Sequence, residues 1–289
     1  MTMILAMTAP LRPPSRLLIE PGIKAALRED MGRAGDVTSA LIIPAGQNAK
    51  AKLIARRQGY IAGLNAAQIA FQLIEPSVQF DIARPDGSAV EPGATLATIS
   101  GSACAILTGE RVALNFLGHL SGVATATAKL VDAVKHTKAR IVCTRKTLPN
   151  LRILQKYAVR CGGGFNHRFG LDDAVLIKDN HIAAAGGIAP ALERVRGGLG
   201  HMVKIEIEVD TLAQLEEALS LHADTVLLDN MPLDELRRAV AMAKDRAVLE
   251  ASGNVTLEAV RAIAETGVDY ISSGAITHSV VNLDIGLDF

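Results

Sequence analysis

The chain has 289 residues, enough for one large domain or two moderate ones. Its 30 basic and 30 acidic residues cancel, and a pI near 7.1 argues against general nucleic-acid or anionic-membrane binding. A hydrophobic share of 49% with no Trp describes a globular core of Ala, Val, Leu and Ile, and three cysteines without a CxxC pattern favour a reducing cytoplasm over a disulfide framework.

Residues 1–14 hold a short apolar stretch, Arg12 and three prolines. They lack the charged start, long apolar centre and cleavage site of a secretory signal, and read as a flexible arm. No apolar run reaches membrane-spanning length. From about residue 49 to 107 the pattern is short and strand-like: Ala51–Ala55, Gly59–Gly63, Val78–Ile82 and Thr95–Ser100, with turn pairs Asp86-Gly87 and Pro92-Gly93 between. Gly63–Glu75 reads as one interposed helix, so this part is expected to be an α+β domain. Its turns also resemble those of lipoyl and biotinyl half-barrels. No lysine lies between Lys52 and Lys129 to carry such a group, and a carrier role is set aside.

The style changes near residue 115, and from residue 140 apolar runs alternate with helical patterns. The runs are Ala139–Cys143, Ala174–Ile177, Val203–Val209, Thr225–Leu228, Ala247–Leu249 and Asp269–Ile271. The steps from Ile207 to Leu228 to Leu249 to Ile271 are 21, 21 and 22 residues, the period of a βα repeat. Polar residues or glycine follow each run: Thr144-Arg145-Lys146, Lys178, Glu208, Asp229, Ser252-Gly253-Asn254 and Ser273-Gly274-Ala275. A barrel gathers all such strand ends at one mouth, whereas an open sheet offers one switch point, so a C-terminal α/β barrel is expected.

The basic residues Arg145, Lys146, His167, Arg168 and Lys178 stand at the ends of apolar runs or beside the glycines 162–164, not at helical spacing. A fold keeps like charges together mainly when an anion neutralises them. Arg145 and Arg168, with Arg111 as a third, suit planar carboxylates through paired hydrogen bonds. Two successive Ser-Gly strand ends suit a phosphate. Glu208 and Asp229 could hold a divalent cation, bind sugar hydroxyls, stabilise a developing positive charge, or simply pair with Arg145 and Lys178. Of the cations, Mg²⁺ fits two carboxylates better than zinc does. His119, His136, His201 and His222 read as structural or surface residues.

These motifs resemble the quinolinate phosphoribosyltransferase family over nearly the whole chain. The resemblance rests on Glu29-Asp30, Gly35-Asp36-Val37-Thr38, Glu110–Leu117, Leu120–Thr125, Thr144–Thr147, Lys156–Val159, Gly162–Arg168, Leu176–Ile182, Glu206–Val209, Leu228–Asn230, Ser252-Gly253 and Ser273–His278. It implies an N-terminal α/β sandwich over residues 1–115 and an α/β barrel over 116–289, with the tail 277–289 packing on the first domain. It further implies a homodimer, or a higher homo-oligomer, in which Arg111 completes the partner's barrel mouth. Arg111, Thr144, Arg145, Lys146, His167, Arg168 and Lys178 would bind quinolinate. Lys146, Lys178, Glu208, Asp229, Ser252, Gly253, Asn254, Ser273, Gly274 and Ala275 would bind phosphoribosyl pyrophosphate. Lys146, Glu208 and Asp229 would be catalytic, the two carboxylates holding Mg²⁺ largely through substrate and water. The chain departs from the family at Cys143, where an acidic residue is frequent, at Leu148-Pro149-Asn150 in place of Thr-Pro-Gly, and at His119.

Two other functions fit parts of the sequence. Lys178 at a strand end suits a Schiff-base aldolase, and the basic mouth alone suits a non-catalytic anion-binding protein.

Overall fold

The computed structural model describes residues 11–244 and 246–289, so most of the arm read at residues 1–14 lies outside the described residues. Of that segment, Pro14 offers its carbonyl oxygen to Asn65 Nδ2 at 3.3 Å. The chain divides into two compact units, one of residues 1–125, 153–162 and 281–289, the other of 126–152 and 163–280.

The first unit opens with helices α1 (Arg16–Met31) and α2 (Val37–Ile42). Strands β1 (Asn48–Ala55) and β2 (Gly59–Tyr60) follow, then α3 (Leu64–Ile74), β3 (Gln79–Ile82), β4 (Ala89–Val90) and β5 (Thr95–Ser102). Helix α3 begins where Asp86 accepts hydrogen bonds from the Gly63 and Leu64 amides at 3.1 and 3.2 Å, a carboxylate at the positive end of the helix. Along β1 the residues Ala51, Leu53 and Ala55 are buried and their neighbours are not, as the period of a half-buried strand requires. The antiparallel sheet has the order β12-β1-β5-β3, where β12 (Ile285–Asp288) comes from the chain's last residues and pairs Leu287 with Leu53.

A single helix, α4 (Ala103–Val134), then runs for 32 residues straight through the style change seen near residue 115. The change in pattern marks the onset of a long Ala-, Val- and Leu-rich helix rather than a linker, and the units divide ten residues later, at 125/126. Gly118 and Gly122 are four residues apart on one face of α4 and let the tail lie against the helix backbone. The Leu283 amide donates to the Gly118 carbonyl at 2.9 Å, and a Cβ on Gly122 would overlap the Val281 carbonyl oxygen.

The second unit is the βα repeat. Its strands and helices are β6 (Arg140–Val142), β7 (Val175–Ile177), α6 (Asp179–Ala185), α7 (Ile188–Gly198), β8 (Ile205–Val209), α8 (Leu212–Ser220), β9 (Thr225–Asp229), α9 (Leu233–Ala243), β10 (Val248–Ser252), α10 (Leu257–Ala264), β11 (Tyr270–Ser272) and α11 (Ala275–His278). Between β6 and β7, α5 (Arg152–Cys161) belongs almost wholly to the first unit. All six strands are parallel, in the order β6-β11-β10-β9-β8-β7. The first strand therefore pairs with the last, the connection that curls a parallel sheet into a barrel. Phe165 adds a bridge to Val142 on the other side of β6. Each strand predicted from the sequence is found within three residues of its expected ends.

Replacing Gly122 by Ala should destabilise the protein by about 1–3 kcal/mol, because the added methyl meets backbone and not a movable side chain. Urea unfolding read by circular dichroism checks this, and an unchanged midpoint would show that the tail yields without cost.

Candidate active site

The barrel's strand ends form one open cavity of about 880 Å³, lined by Thr144, Arg145, Lys146, His167, Arg168, Lys178, Glu208, Asp229, Ser252, Gly253, Asn254, Ser273, Gly274 and Ala275. Leu176, Leu227, Asn230, Glu250, Val255, Thr256, Ser272 and His278 complete the wall. Every residue expected at the mouth is there except Arg111, which lies exposed on α4 in the first unit.

Strand register sets the neighbours. Ile177 pairs with Ile207, so one step onward Lys178 stands beside Glu208, and its Nζ donates to Glu208 Oε2 at 3.1 Å. Asp229 pairs with Ser252 across β9 and β10. The Arg145-Lys146 turn after β6 is closed by the Thr144 hydroxyl, which accepts from the Lys146 amide at 3.0 Å. Thr277 Oγ1 donates to the Lys146 carbonyl at 2.7 Å, tying the first strand end to the last. A Cβ on Gly274 would come within 3.0 Å of Lys146 Cδ, so glycine there lets the lysine lie across the final Ser-Gly loop. His181, in the Lys-Asp-Asn-His run, accepts from the Lys178 amide through Nδ1 at 2.9 Å and shapes the start of α6.

Arg168 is aimed by its own loop. Asp173 accepts from the Phe169 and Gly170 amides at 2.6 and 2.8 Å, and Arg168 Nη1 reaches the Ala174 carbonyl at 3.0 Å. Burial lowers the Arg168 guanidinium from its ordinary value, and the neighbouring Arg145 lowers it further. Arg145 Nε is itself buried with no hydrogen-bond partner. Two crowded guanidinium groups of this kind are stabilised by a bound anion.

Beneath the cations lies a buried group the sequence did not disclose. His167 Nε2 is 2.7 Å from Glu206 Oε2 and 3.9 Å from Glu250 Oε1. The Arg168 amide donates to His167 Nδ1 at 2.7 Å, so Nδ1 must carry the lone pair and Nε2 the proton given to Glu206. Both ring nitrogens are thereby engaged. His167, expected among the quinolinate-binding residues, lines the cavity and also accepts from the Arg168 amide. Burial, then the charge of Glu206, pushes the Glu250 carboxyl up to about 7. The signal was strand alternation, which puts Glu206 on the face of Glu208 and Glu250 on the face of Ser252. Of the histidines read as structural, His119 bonds Gln155 at 2.8 Å within the first unit, and His136 pairs with Glu265 in the second. Cys104, Cys143 and Cys161 are free thiols, and Cys143 Sγ lies 3.4 Å from Asn166 Oδ1.

The family model described as quinolinate phosphoribosyl transferase, N-terminal domain, matches residues 36–121, and the one for the C-terminal domain matches 123–288. The probable nicotinate-nucleotide pyrophosphorylase [carboxylating] of Bacillus subtilis is 45% identical over 260 residues, covering 90% of this chain and 89% of its own length. The Mycobacterium leprae nicotinate-nucleotide pyrophosphorylase [carboxylating] is 44% identical, covering 92% of this chain and 95% of its own. Among solved structures, NadC from Streptococcus pyogenes superposes with a TM-score of 0.91 at 40% identity, covering 96% of this chain and 98% of that one.

Glu250 gives a signed prediction. A carboxyl raised in the folded state favours folding most at low pH, and this contribution is lost as pH climbs from the unfolded value toward about 7. Glu250→Gln cannot ionise, so it should match wild type near pH 5 and exceed it above pH 7, by up to on the order of 3 kcal/mol. Thermal melts across that range test it; a variant less stable than wild type at pH 8 would mean that Glu250 is held ionised.

Proposed function

The chain belongs to the quinolinate phosphoribosyltransferase family, and from that premise we propose that it joins quinolinate to phosphoribosyl pyrophosphate, releasing nicotinate mononucleotide, pyrophosphate and CO₂, the quinolinate step of de novo NAD synthesis. The observation that carries this reading is the single cavity in which Arg145, Lys146, Arg168 and Lys178 face Glu208 and Asp229. Cations grip two polyanions while carboxylates wait where positive charge develops. Its volume, about 880 Å³, is in the range of sites that hold small ligands.

Arg145 and Arg168 clamp the quinolinate carboxylates, and His167 with Glu206 sets the Arg168 peptide. The Ser252-Gly253-Asn254 and Ser273-Gly274-Ala275 loops take the 5′-phosphate. Lys146 and Lys178 balance the pyrophosphate. As the C1–oxygen bond breaks, its electron pair leaves with pyrophosphate, and Glu208 and Asp229 stabilise the oxocarbenium-like ribose. The pyridine nitrogen gives its lone pair to C1. The cationic nitrogen then accepts charge from the adjacent carbon as its carboxylate departs as CO₂, and Lys146 or water supplies the proton to that carbon. Glu208 and Asp229 offer only oxygen donors at neighbouring strand ends, a set that suits Mg²⁺ held partly through water and substrate. The ion would neutralise pyrophosphate charge.

Lys178 does not support the Schiff-base alternative. It is half exposed and held by Glu208, not enclosed in the apolar pocket that makes a lysine nucleophilic. No helix among the described residues is long and apolar enough to cross a membrane, and three free thiols suit the reducing cytoplasm in which we place the reaction.

The direct test is formation of nicotinate mononucleotide from quinolinate, phosphoribosyl pyrophosphate and Mg²⁺. Within it, Arg168→Ala should weaken quinolinate binding roughly ten- to a hundredfold and phosphoribosyl pyrophosphate binding little. Asp229→Asn should show the reverse selectivity, lowering turnover with quinolinate affinity nearly intact. Equal effects of Arg168→Ala on both ligands, or full turnover in Asp229→Asn, would remove these roles.

Arg111, exposed on α4, completes the mouth of the partner subunit in a homodimer on this reading. Mixing Arg111→Ala and Arg145→Ala chains should then restore activity, to at most about half of wild type per heterodimer, since one mouth has both arginines and the other neither. Demonstrated subunit exchange without any recovery would return Arg111 to its own subunit.

A further inference from the structure

Asn230 adopts a left-handed backbone conformation, φ +53°, immediately after Asp229 at the end of β9. Its amide is shared between two parts of the mouth. Asn230 Nδ2 donates to Asp229 Oδ2 at 2.8 Å, and Asn230 Oδ1 accepts from Asn254 Nδ2 at 3.3 Å. A carboxylate only accepts, so the amide orientation is fixed by chemistry: NH₂ toward Asp229, oxygen toward Asn254. The backbone strengthens the link, since the Asn230 amide donates to the Ser252 carbonyl at 2.9 Å.

The neighbouring loop is shaped around this side chain. Gly253 has φ +99°, and a Cβ on it would overlap Asn230 Oδ1 and Cγ. Asn254 also lies at positive φ, +47°. Left-handed non-glycine residues cost free energy and persist where the surroundings hold them, and here two of them flank the glycine whose missing side chain makes room for the Asn230 amide. Asparagine tolerates that conformation better than most residues, and it alone among the tolerant ones presents both a donor and an acceptor on a short planar group.

We propose that Asn230 is a positioning residue that couples anion occupancy of the Ser252-Gly253-Asn254 loop to the orientation of the Asp229 carboxylate. The inference rests on the phosphoribosyl reading of the site and deepens it. A phosphate on the loop fixes Asn254, Asn254 fixes the Asn230 amide, and the amide turns one carboxylate oxygen of Asp229 toward itself. The carboxylate is thus aligned when the sugar phosphate is in place.

The experiment is a mutant cycle read in two ways, turnover of the coupled reaction and calorimetric affinity for inorganic phosphate. Asn230→Gly keeps the left-handed backbone and deletes the amide. It should melt close to wild type, lose roughly tenfold in turnover and bind phosphate roughly tenfold more weakly, the size of one lost hydrogen bond to a charged group. Placed on Asp229→Asn, it should cost less than about twofold more in turnover, because the two residues act as one unit. Asn230→Asp sets two carboxylates side by side and should be worse in both readouts. The exchanged pair Asp229→Asn with Asn230→Asp restores a donor and an acceptor, so phosphate affinity should recover while turnover does not. Multiplicative losses, wild-type behaviour of Asn230→Gly, or no recovery in the exchanged pair would each overturn the coupling. A wild type that shows the phosphate pattern but forms no nicotinate mononucleotide would sink the enzymatic reading alone, and turnover with multiplicative losses would sink the coupling alone.

Discussion

Pairing of the first parallel strand with the last is the constraint on which the site depends. Ile141 stands opposite Ile271 and Val142 opposite Ser272, although 130 residues separate each pair. With that ladder formed, the turn carrying Arg145 and Lys146 meets the loop carrying Ser273 and Gly274, and the Thr277 hydroxyl locks the Lys146 carbonyl. An open sheet with the same strands would leave the two basic residues at one edge and Asp229 far inside it. The cation cluster and the carboxylate pair therefore exist as one chemical site only because the sheet curls.

Charge at the mouth is organised in depth. Near the opening, Lys178 and Glu208 offset one another, while Arg145 and Arg168 crowd together at the cost of mutual repulsion. Deeper down, both ring nitrogens of His167 are engaged, Nε2 with Glu206 and Nδ1 with the Arg168 amide. Glu250, raised to about 7, gains little from ionising beside Glu206. The layer under the arginines thus positions Arg168 through its amide, and the charge of Glu206 offsets part of the crowding above.

Much of this was legible because strands and their ends obey local rules. The step of about 21 residues from Ile207 onward placed β8 to β11, and polar residues just beyond each apolar run placed the mouth. What stayed hidden depended on distance or on masking by neighbours. The change of pattern near residue 115 fell inside α4, because a helix of 32 residues rich in small apolar side chains shows no capping signal midway. Glu250 directly follows the run Ala247–Leu249, but the strand end was assigned to Ser252-Gly253-Asn254, though a period of two puts Glu250 beside Ser252 in the lumen. The ring contacts of His167 could not be read at all, since Glu206 lies 39 residues away and only the barrel brings it near.

The path of the chain also explains why the two halves cannot be treated as beads on a string. It passes between the units at 125/126, 152/153, 162/163 and 280/281. Its final strand, β12, pairs with β1 of the first unit through Lys52–Ala55, although the barrel strands lie between them in sequence. Residues 281–283 lie against Gly118 and Gly122 of α4, the helix whose other end leads into β6. A cut at the apparent border near residue 115 would split α4 and separate β1 from its closing partner. The first unit's sheet is complete only once the last barrel strand has been passed along the chain, so sequence order and structural order are interlocked.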